Sequence, residues 1–529
     1  MALPENPLVL PATLCLFRFL TPMNTSAGCF ARCLALFAVS LLPGVMALAA
    51  PSSPARPNVL VIFIDDHPYT LASVDRPSPV PTPNIQRLAA RGTWFSNGYC
   101  DAPSCGPSRT AFLTGVRSSR SGVYYNGQSY RRNKEFISKV TTLPGQFLKN
   151  GYLTVGYGKV AHNSFLMDDI GDYTPGYYKW MDNPQDVTHT NKDLLKYIIP
   201  GTRRTIPGKS SPTWDWGMLP DDWDRDDPAK IQQDTQQANR TIEVLRTAHD
   251  RPFFMVCGFY RPHIPWSVPK RYFDRFPLDS IQLPEGYKAD DLEDLPKPGR
   301  WIASNRGEHA EIVAAGMWKK CLQGVYASTA YVDEQIGRVL DALEKSDYNK
   351  NTIVVFVADN GFHVGEKNHW LKFALWEQTS RVVFAVSVPG MPVQKSKSPV
   401  SMLDLYPTLM TLCGVPGPET HTLDGVDLTK LLAGKVKDRG QPVLTTYGRG
   451  NHSLRDDRYR YIRYRNGQEE FYDEQKDPYE WQNLANDPKY AKAKAALAKW
   501  LPATDAQDVY PNKGSPLKDA SWSDEAFVE

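Results

Sequence analysis

The chain has 529 residues, 41% of them hydrophobic, and its 61 basic and 58 acidic residues leave a net charge of +3. This length and composition suit a large globular domain accompanied by a smaller one. The near balance of charge argues against a nucleic-acid partner and against a polybasic membrane contact. An anionic substrate must therefore be recognised by a local cluster of charged side chains.

The first 50 residues have the composition of a secretory signal. After Met23 the chain holds a short apolar run that Pro43 interrupts, and an Ala-Leu-Ala sequence ends at Ala49. This order is typical of a cleaved signal, whereas a membrane-spanning helix needs a longer apolar run. We predict a signal peptide over residues 1–50, with Met23 as a possible true start, and a linker over 51–57. A membrane anchor is the alternative; cleavage near Ala49 predicts a secreted or periplasmic protein with no stable membrane anchor.

Continuous apolar runs that are rich in β-branched residues predict strands buried on both faces. Such strands belong to parallel sheets that helices cover on both sides. Stretches with helical periodicity lie between the runs, which supports an alternating order of strands and helices. The predicted fold class is α/β with a large, mainly parallel sheet. The runs cover 58–66, 251–263, 351–361 and 382–390, and two of the helical stretches begin at Thr82 and Tyr331.

The composition changes after about residue 440. Short alternating strands follow, and the Asn-Gly pair at 466–467 is typical of a hairpin turn. We predict a catalytic domain over 58–440 and a small C-terminal α+β subdomain over 441–529. The segments 163–240 and 283–316 are expected to form loops that shape a substrate pocket.

Polar residues follow three of the predicted strands. Asp65 and Asp66 end the first run, Asp359 and Asn360 end another, and His263 ends the run that begins at residue 251. Because ligands bind at the carboxyl ends of parallel strands, we expect these side chains to lie close together. Carboxylate and amide oxygens suit a hard divalent cation, Ca²⁺ or Mg²⁺, better than zinc. The alternative is that the carboxylates only cap helices.

The stretch CDAPSCGPSRTAFLTG, from Cys100 to Gly115, leaves several interpretations open. A Pro-Ser-Arg sequence after Cys105 predicts the start of a helix, and Gly115 predicts its end. A cysteine near a helix N-terminus and beside Arg109 favours a thiolate or another anionic form. The alternatives are a buried structural cysteine and a strained disulfide between Cys100 and Cys105.

Several blocks of the sequence resemble the type I sulfatases, in which the cysteine of a Cys-x-Pro-Ser-Arg motif is oxidised to Cα-formylglycine. Here this motif runs from Cys105 to Arg109, with Thr-Gly behind it at 114–115. The resemblance covers most of the chain after the predicted signal and is greatest to the iduronate-2-sulfatases. The other matching blocks are IDD at Ile64, GYGKVAH at Gly156, RPHIPW at Arg261, ADNGFHVGEKNHWLKF at Ala358, DLYPTL at Asp404 and FYDEQKDPYEWQNLA at Phe471.

The resemblance implies an alkaline-phosphatase-like α/β sandwich and the activity of a sulfuric ester hydrolase. A formylglycine-generating enzyme would convert Cys105, and the hydrate of the resulting aldehyde would supply the nucleophile. One Ca²⁺ ion per chain, in preference to Mg²⁺, would assist that nucleophile and neutralise a sulfate oxygen. The implied metal ligands are Asp65, Asp66, Cys105, Asp359 and Asn360.

The resemblance also implies roles for basic residues. Arg109 would hold the formylglycine, and Lys159 and Lys372 would bind the sulfate group. His162 matches a base that acts in sulfate release, and His263 matches the acid that protonates the leaving alcohol. Three other histidines near these motifs have open roles: His67, His363 and His369.

The implied substrate is a sulfated carbohydrate of the iduronate-2-sulfate kind. One alternative is a phosphatase or phosphodiesterase of the same fold, but such enzymes typically use two zinc ions and a Ser or Thr nucleophile. The other alternative is a non-catalytic glycan-binding protein, whose sugar contacts the 13 Trp and 26 Tyr could supply. The predicted combination of nucleophile, acid, base and metal ligands favours an enzyme over a binding protein.

Overall fold

A computed structural model of the chain describes residues 56–72, 74–128, 136, 139–162, 172–179, 216–219, 231–304 and 307–509. The predicted signal peptide with its cleavage position, residues 51–55 of the predicted linker and most of the 163–240 loop lie outside the described residues. Within the described part, none of the helices combines the length and apolar character that a bilayer-spanning segment requires.

A large mixed sheet forms the centre of the fold, with smaller sheets around it. The strands are β1 Asn58–Asp65, β2 Thr93–Phe95, β3 Gly98–Tyr99, β4 Leu153–Gly158, β5 Tyr178–Lys179, β6 Trp216–Leu219, β7 Phe253–Pro262, β8 Trp266–Pro269, β9 Thr352–Ala358, β10 His363–Val364, β11 Trp370–Leu371, β12 Arg381–Val382, β13 Phe384–Ser387, β14 Gln394–Ser396, β15 Val400–Ser401, β16 Val443–Thr446, β17 His452–Arg455, β18 Tyr459–Arg463 and β19 Glu469–Asp473. The large sheet has the order β14-β2-β13-β9-β1-β7-β4-β5. Its central strands are parallel, which confirms the predicted α/β class.

The predicted buried runs form the middle of this sheet. Every residue of β1 is buried, as expected for a strand with helices on both faces. The run at 382–390 differs from a parallel strand, because β13 is antiparallel to β9. The chain between these strands contains the β10–β11 hairpin and returns to the sheet from the edge where β9 ends. A parallel pair would need a crossover to the opposite edge.

Helices cover the sheet in two groups. The helices are α1 Pro83–Ala89, α2 Cys105–Thr114, α3 Ser118–Ser121, α4 Leu143–Lys149, α5 Gln233–Arg246, α6 Lys270–Phe273, α7 Lys297–Ser304, α8 Glu308–Ala314, α9 Trp318–Glu344, α10 Glu377–Ser380, α11 Leu405–Cys413, α12 Thr429–Leu432 and α13 Ala491–Ala498. In one group α9 packs against α1, α5 and β7, and in the other α2 packs against α4 and α11. The helix predicted from Tyr331 is the second half of α9.

The C-terminal part forms its own small sheet, as predicted. Strands β16 to β19 are antiparallel neighbours in sequence order, and α13 packs against β17 and β18. The turn between β18 and β19 contains Gly467 with φ of 86°, and its N–H donates to the carbonyl of Tyr464. This confirms the hairpin and the α+β character of this part, while the domain boundaries stay predictions.

Candidate active site

The order of the central strands brings the predicted site residues to one edge of the sheet. β1 lies between β7 and β9, with Ile64 paired to Ala358 and Asp65 paired to Pro262. The segments that follow these strands therefore leave the sheet side by side. The residues that meet at this edge are Asp65, Asp66, His263, Asp359 and Asn360.

The acidic residues and Asn360 are connected by short hydrogen bonds. The backbone N–H groups of Asp66 and Asn360 donate to Asp359 Oδ1 at 3.2 and 2.9 Å, and Asn360 Nδ2 donates to Asp66 Oδ1 at 2.8 Å. Asp66 has φ of 55°, a left-handed conformation that few residues other than glycine adopt. This strained turn at the end of β1 directs Asp66 toward the residues that follow β9.

Cys105 is the first residue of α2 and lies inside this cluster. Its sulfur donates to Asp65 Oδ1 at 3.3 Å, and Lys372 Nζ donates to the sulfur at 2.6 Å. Cys100 is also buried, and its thiol donates to the carbonyl of Thr379 at 3.6 Å. Both cysteines are free thiols, so the disulfide alternative does not describe this structure.

The surroundings of Cys105 do not favour a thiolate, in contrast to the prediction. Burial, followed by the negative charge of Asp65, raises the pKa of the Cys105 thiol well above its usual range. The charges of Lys159 and Lys372 act in the opposite direction but are outweighed. Before any modification, Cys105 is therefore a neutral, fully buried thiol.

Two lysines neutralise the first acidic pair. Lys159 Nζ contacts Asp65 Oδ2, and Lys372 Nζ donates to Asp66 Oδ1 at 2.6 Å. Burial alone would raise the pKa of Asp65, but the charges of Lys159 and His263 lower it to about 2. Burial would also raise the pKa of Asp66, yet Lys372 and His263 lower it below its ordinary value. Both carboxylates are therefore ionised at neutral pH.

Arg109 supports the cluster from one turn further along α2. Its Nε donates to Asp359 Oδ2 at 2.8 Å, and its Nη1 donates to the carbonyl of Lys159. Its Nη2 lies 3.8 Å from Asp65 Oδ2. The hydrogen bonds of Arg109 to described residues thus go to Asp359 and the backbone after β4, not to Cys105. The side chain fixes these parts of the site relative to α2.

Two histidines lie beside the same charges. His263 Nε2 is 3.4 Å from Asp66 Oδ2, and its Nδ1 contacts the carbonyl of Ile264. Because a carbonyl only accepts hydrogen bonds, Nδ1 carries a hydrogen. Burial lowers the pKa of His263 to about 4, although Asp66 acts in the opposite direction. Burial, followed by the charge of Lys159, also lowers the pKa of His162 well below its usual value.

Four side chains at this edge could hold a metal ion, two of them through carboxylate oxygens and two through the softer sulfur and nitrogen donors. Asp65, Asp66, Cys105 and His263 each offer a ligand atom, and these atoms lie within 4.8 Å of one another. In the part of the chain that the structure describes, Asn360 Oδ1 is buried and has no hydrogen-bond partner. A buried oxygen without a partner is costly unless a cation or water uses it. Ionised carboxylates beside such an oxygen suit Ca²⁺ or Mg²⁺.

Sequence reasoning missed Asn126. Its Oδ1 accepts hydrogen bonds from the backbone N–H of Gly106 at 2.8 Å and from Ser104 Oγ at 2.6 Å. The bond from Gly106 satisfies a buried N–H that the first turn of α2 leaves without an intrahelical partner, and it thereby fixes the position of Cys105. Asn126 stands 20 residues from Gly106 in sequence and belongs to no recognisable motif, so only the folded chain reveals this contact.

The histidines without predicted roles have different environments. His369 Nε2 contacts the carbonyl of Lys372 at 2.8 Å, and His363 Nδ1 contacts the carbonyl of Glu366 at 3.0 Å. Both contacts brace the segment that carries Lys372. His67 is fully buried, and neither ring nitrogen has a hydrogen-bond partner among the described residues. Burial lowers the pKa of His67 to about 3, so its ring is neutral.

Comparisons with known proteins agree with this geometry. The family profile described as Sulfatase matches residues 57–415, and one described as N-sulphoglucosamine sulphohydrolase, C-terminal, matches residues 365–507. A sulfatase of Formosa agariphila is 36% identical over 463 residues, which cover 85% of this chain and 87% of that protein. The human iduronate 2-sulfatase is 27% identical, with 75% of this chain and 76% of that protein covered. A Delta 4,5-hexuronate-2-O-sulfatase of Bacteroides thetaiotaomicron is 27% identical, with 84% and 88% covered.

Solved structures share the fold. A phosphonate monoester hydrolase of Agrobacterium radiobacter superimposes with a TM-score of 0.66 at 20% identity, covering 84% of this chain and 94% of that one. A 2-O GAG sulfatase superimposes with a TM-score of 0.62 at 23% identity, covering 84% and 90%. At these identities the likeness shows the alkaline-phosphatase-like fold alone. The profile match over most of the chain and the relative at 36% identity go further, and they show that the chain belongs to the sulfatase family.

Proposed function

We propose that the protein hydrolyses the sulfate ester of a sulfated saccharide, with residue 105 acting after its conversion to formylglycine. The observation that carries this proposal is the position of Cys105, whose sulfur lies 3.3 Å from Asp65 Oδ1 and 2.6 Å from Lys372 Nζ in a buried cluster. Two relatives are named for the 2-O-sulfates of iduronate and hexuronate. A uronate sulfated at O2 is therefore the substrate class that we propose.

Formylglycine would supply two hydroxyl groups on one carbon when hydrated, one to attack sulfur and one to allow sulfate release. Around it, Lys372 and Lys159 are the cations closest to the acidic pair, and both can turn toward a sulfate oxygen. Fixed cations in a buried site stabilise the negative charge that develops on the transferred group. Arg109 keeps Asp359 in place beside this group.

Proton transfer is assigned to the two histidines. The Nδ1–H of His263 is committed to the carbonyl of Ile264, so a proton for the leaving oxygen would be held at Nε2. Because burial lowers the pKa of His263 to about 4, the resting ring is neutral at neutral pH. The carboxylate of Asp66, 3.4 Å from Nε2, would stabilise the ring once it has gained a proton. His162 has a neutral ring beside Lys159 and can accept the proton that is lost when sulfate leaves.

A bound Ca²⁺ ion would be held by Asp65, Asp66, Asp359, Asn360 and residue 105, and it would supply positive charge beside the sulfate oxygens. The support for this ligand set is the orphaned Oδ1 of Asn360 together with ionised Asp65 and Asp66.

The localisation and domain proposals follow from the sequence. We propose that residues 1–50 are removed on export, near Ala49, and that residues 58–440 and 441–529 form the two domains. N-terminal sequencing of the exported protein tests the first point. A mature chain that still begins at Met23 would favour an anchored form.

The test of the central proposal combines mass spectrometry with turnover. The protein is produced together with a formylglycine-generating enzyme, and the peptide that contains Cys105 is expected to lose its thiol in favour of an aldehyde. The matured protein is then assayed on an aryl sulfate and on saccharides sulfated at defined positions. We expect higher activity on uronates sulfated at O2 than on saccharides sulfated at other positions. Full activity of a protein whose Cys105 remains a thiol contradicts the formylglycine mechanism.

A further inference from the structure

We propose that a cavity beside the β10–β11 hairpin is a saccharide subsite, which binds the sugar residue adjoining the sulfated one through its ring face and its hydroxyl groups. This inference rests on the proposed function and specifies its substrate further. The cavity, named here the Tyr479 cavity, has a volume of about 480 Å³. Small-molecule sites in proteins span about 300–1,000 Å³. The lining residues that matter are Arg76, Leu283, Glu285, Glu366 and Tyr479.

The Tyr479 cavity lies at the edge of the sheet that carries the active site. Arg76 belongs to the segment after β1, and Val364 belongs to the segment after β9. Val364 pairs with Trp370 in the β10–β11 hairpin. Lys372 follows Trp370 by two residues, which is about 7 Å of extended chain. One wall of the cavity and a sulfate-binding lysine therefore belong to the same short hairpin.

The walls of the cavity are tied together. Lys367 Nζ donates to Asp291 Oδ1 at 2.9 Å and to the carbonyl of Glu480, which joins the hairpin segment to the residue after Tyr479. A side chain on Gly286 would meet the ring of Tyr479 at 2.6 Å and Glu366 Cγ at 3.1 Å. Glycine is thus required for the close approach of these segments. The cavity is a preformed feature of the fold.

The chemistry of the lining suits a sugar ring. Tyr479 supplies an aromatic ring to the lining. Trp481, which is outside the lining, packs beside this ring with the centroids 5.1 Å apart and an angle of 32° between the planes. An aromatic face packs against the C–H groups of one side of a pyranose, and polar groups at its rim pair with the hydroxyls. Glu285, which accepts a hydrogen bond from Tyr479 at 2.9 Å, can accept from a sugar hydroxyl as well.

Arg76 supplies the matching donor. Within the described residues it makes a cation–π contact with Tyr69 at 5.2 Å and no ion pair, which leaves its N–H groups available to the cavity. One guanidinium beside the carboxylates of Glu285 and Glu366 gives the lining no excess of positive charge. A sulfated ring would find no surplus of positive charge there to pair with its sulfate. The subsite therefore favours an unsulfated sugar residue.

The test compares substrates of different length. The variants Tyr479→Ala and Arg76→Ala are assayed on a disaccharide with one 2-O-sulfated uronate and an unsulfated hexosamine, on the sulfated uronate alone and on 4-methylumbelliferyl sulfate. Loss of one hydrogen bond to a charged group or of the aromatic platform should raise KM for the disaccharide about tenfold. The shorter substrates should change less than about twofold, because they do not reach the subsite.

Matched controls separate this effect from general damage. Trp500→Ala removes another exposed aromatic side chain, and Arg246→Ala removes an exposed arginine at the end of α5. Both should leave KM for the disaccharide unchanged. Melting temperatures of all variants report on folding. Equal losses on all three substrates, or unchanged KM in Tyr479→Ala and Arg76→Ala, overturn the subsite.

A binding measurement keeps the two proposals distinguishable. Saturation-transfer NMR with unsulfated uronate–hexosamine disaccharides should give signals with the wild-type protein that weaken in Tyr479→Ala. If no sulfate ester is hydrolysed but this binding is found, the proposed function fails and the subsite stands. If sulfate esters are hydrolysed but no binding depends on Tyr479, the subsite is wrong. Stronger binding of a disaccharide whose hexosamine is sulfated refutes the preference for an unsulfated ring.

Discussion

Two buried clusters of charge lie in this protein, and they differ in what their residues can still bind. The active-site cluster stands at the carboxyl edge of the large sheet and contains Asp65, Asp66, Cys105, Arg109, Lys159, His263, Asp359, Asn360 and Lys372. The second, the arginine–glutamate cluster, lies between the C-terminal sheet and α10 and contains Arg381, Arg455, Arg460, Glu377, Glu474 and Glu480.

The arginine–glutamate cluster uses its charges to connect parts of the chain. Arg460 on β18 donates to the carbonyl of Leu375 at 3.1 Å and to Ser453 Oγ at 2.6 Å. Its guanidinium also pairs with Glu377, at the start of α10, and with Glu480 at 2.7 Å. A planar guanidinium with several fixed partners suits a permanent ion-pair network. These contacts attach the C-terminal sheet to the segment after Lys372.

The active-site cluster contains groups of another kind. Lys159 and Lys372 are point charges on flexible stems, which can exchange one oxygen for another. Cys105 is a neutral thiol among these charges, and Asn360 Oδ1 has no hydrogen-bond partner in the described part of the chain. Burial and ion pairing are common to both clusters. Glu480 Oε1 also lacks a hydrogen bond among the described residues, but it pairs with Arg460 at 2.7 Å. The difference therefore lies in the nucleophile precursor Cys105 and in Asn360 Oδ1, a neutral amide oxygen that has no charged partner in the described part of the chain.

The largest expected effect is on catalysis, in the variant Cys105→Ser. It should fold normally but lose activity by at least about 10⁴-fold, as removal of a nucleophile does in other hydrolases. A serine has one hydroxyl where the hydrated aldehyde has two, so a sulfate transferred to it cannot leave by the same route. Turnover of an aryl sulfate and intact-protein mass measure the two consequences.

Cys100→Ser is the matched control for this prediction. Cys100 is equally buried, and its thiol contacts only the carbonyl of Thr379 among the contacts described. Its replacement should keep activity within about threefold, since most substitutions outside the reacting groups act on stability. Equal activity of both serine variants would show that residue 105 has no part in the reaction.

The next largest effect is on stability, in the variant Arg460→Ala. Removal of one partner from a buried ion-pair network costs about 3–5 kcal/mol, because the opposing charges stay buried without compensation. The free energy of unfolding in urea should fall by this amount, while turnover per folded molecule stays near that of wild type. Arg251→Ala, which removes an exposed pair with Asp250, is the control and should change stability much less. A large loss of turnover without loss of stability would place Arg460 in the active site instead.

Removal of the metal should lower activity. Asp65→Ala is expected to lower turnover by about 100-fold or more, as is chelation of the wild-type protein. Ca²⁺ should restore the chelated protein better than Zn²⁺, and elemental analysis should find one Ca²⁺ per chain. Asp341→Ala removes one side chain of an exposed pair with Arg87 and is the control. It should leave turnover and the Ca²⁺ content unchanged. Full activity of a thoroughly metal-depleted sample would exclude the ion from the reaction.

Much of the fold could be predicted because the central strands are short, continuous apolar runs. The runs at 58–66 and 351–361 correspond to β1 and β9, and the polar residues at their ends meet as expected. The direction of β13 could not be predicted from its own residues. It depends on the path of the chain between 359 and 383, which returns from the site edge without a crossover.

The charge states of the site residues were harder to predict than which residues form the site. The helix start beside Cys105 suggested an anionic sulfur, but complete burial and the charge of Asp65 outweigh that effect. The support from Asn126 depends on a contact between distant positions that no local pattern records. Glu377 and Arg460 are 83 positions apart, so no local sequence pattern predicts their pairing either.

The smallest expected effect is the pH dependence of stability that the arginine–glutamate cluster produces. Burial, followed by the charge of Glu377, raises the pKa of Glu474 to about 7 from an ordinary value of 4.5. Between these two values the folded protein holds a proton on Glu474 that the unfolded chain has lost. The contribution of Glu474 to stability is therefore fully present below about pH 4.5 and declines as the pH rises to about 7.

The variant Glu474→Gln cannot lose this proton, so its melting temperature should fall less than that of wild type between pH 5 and 7.5, by about 2 °C. Glu344→Gln, at an exposed pair with Arg87, is the control and should follow the wild-type curve. The active-site carboxylate of Asp65, with a pKa of about 2, does not titrate in this range and cannot produce the slope. If Glu474→Gln and wild type show the same slope, Glu474 is ionised throughout this range, and the proton is held by Glu480, whose pKa burial also raises.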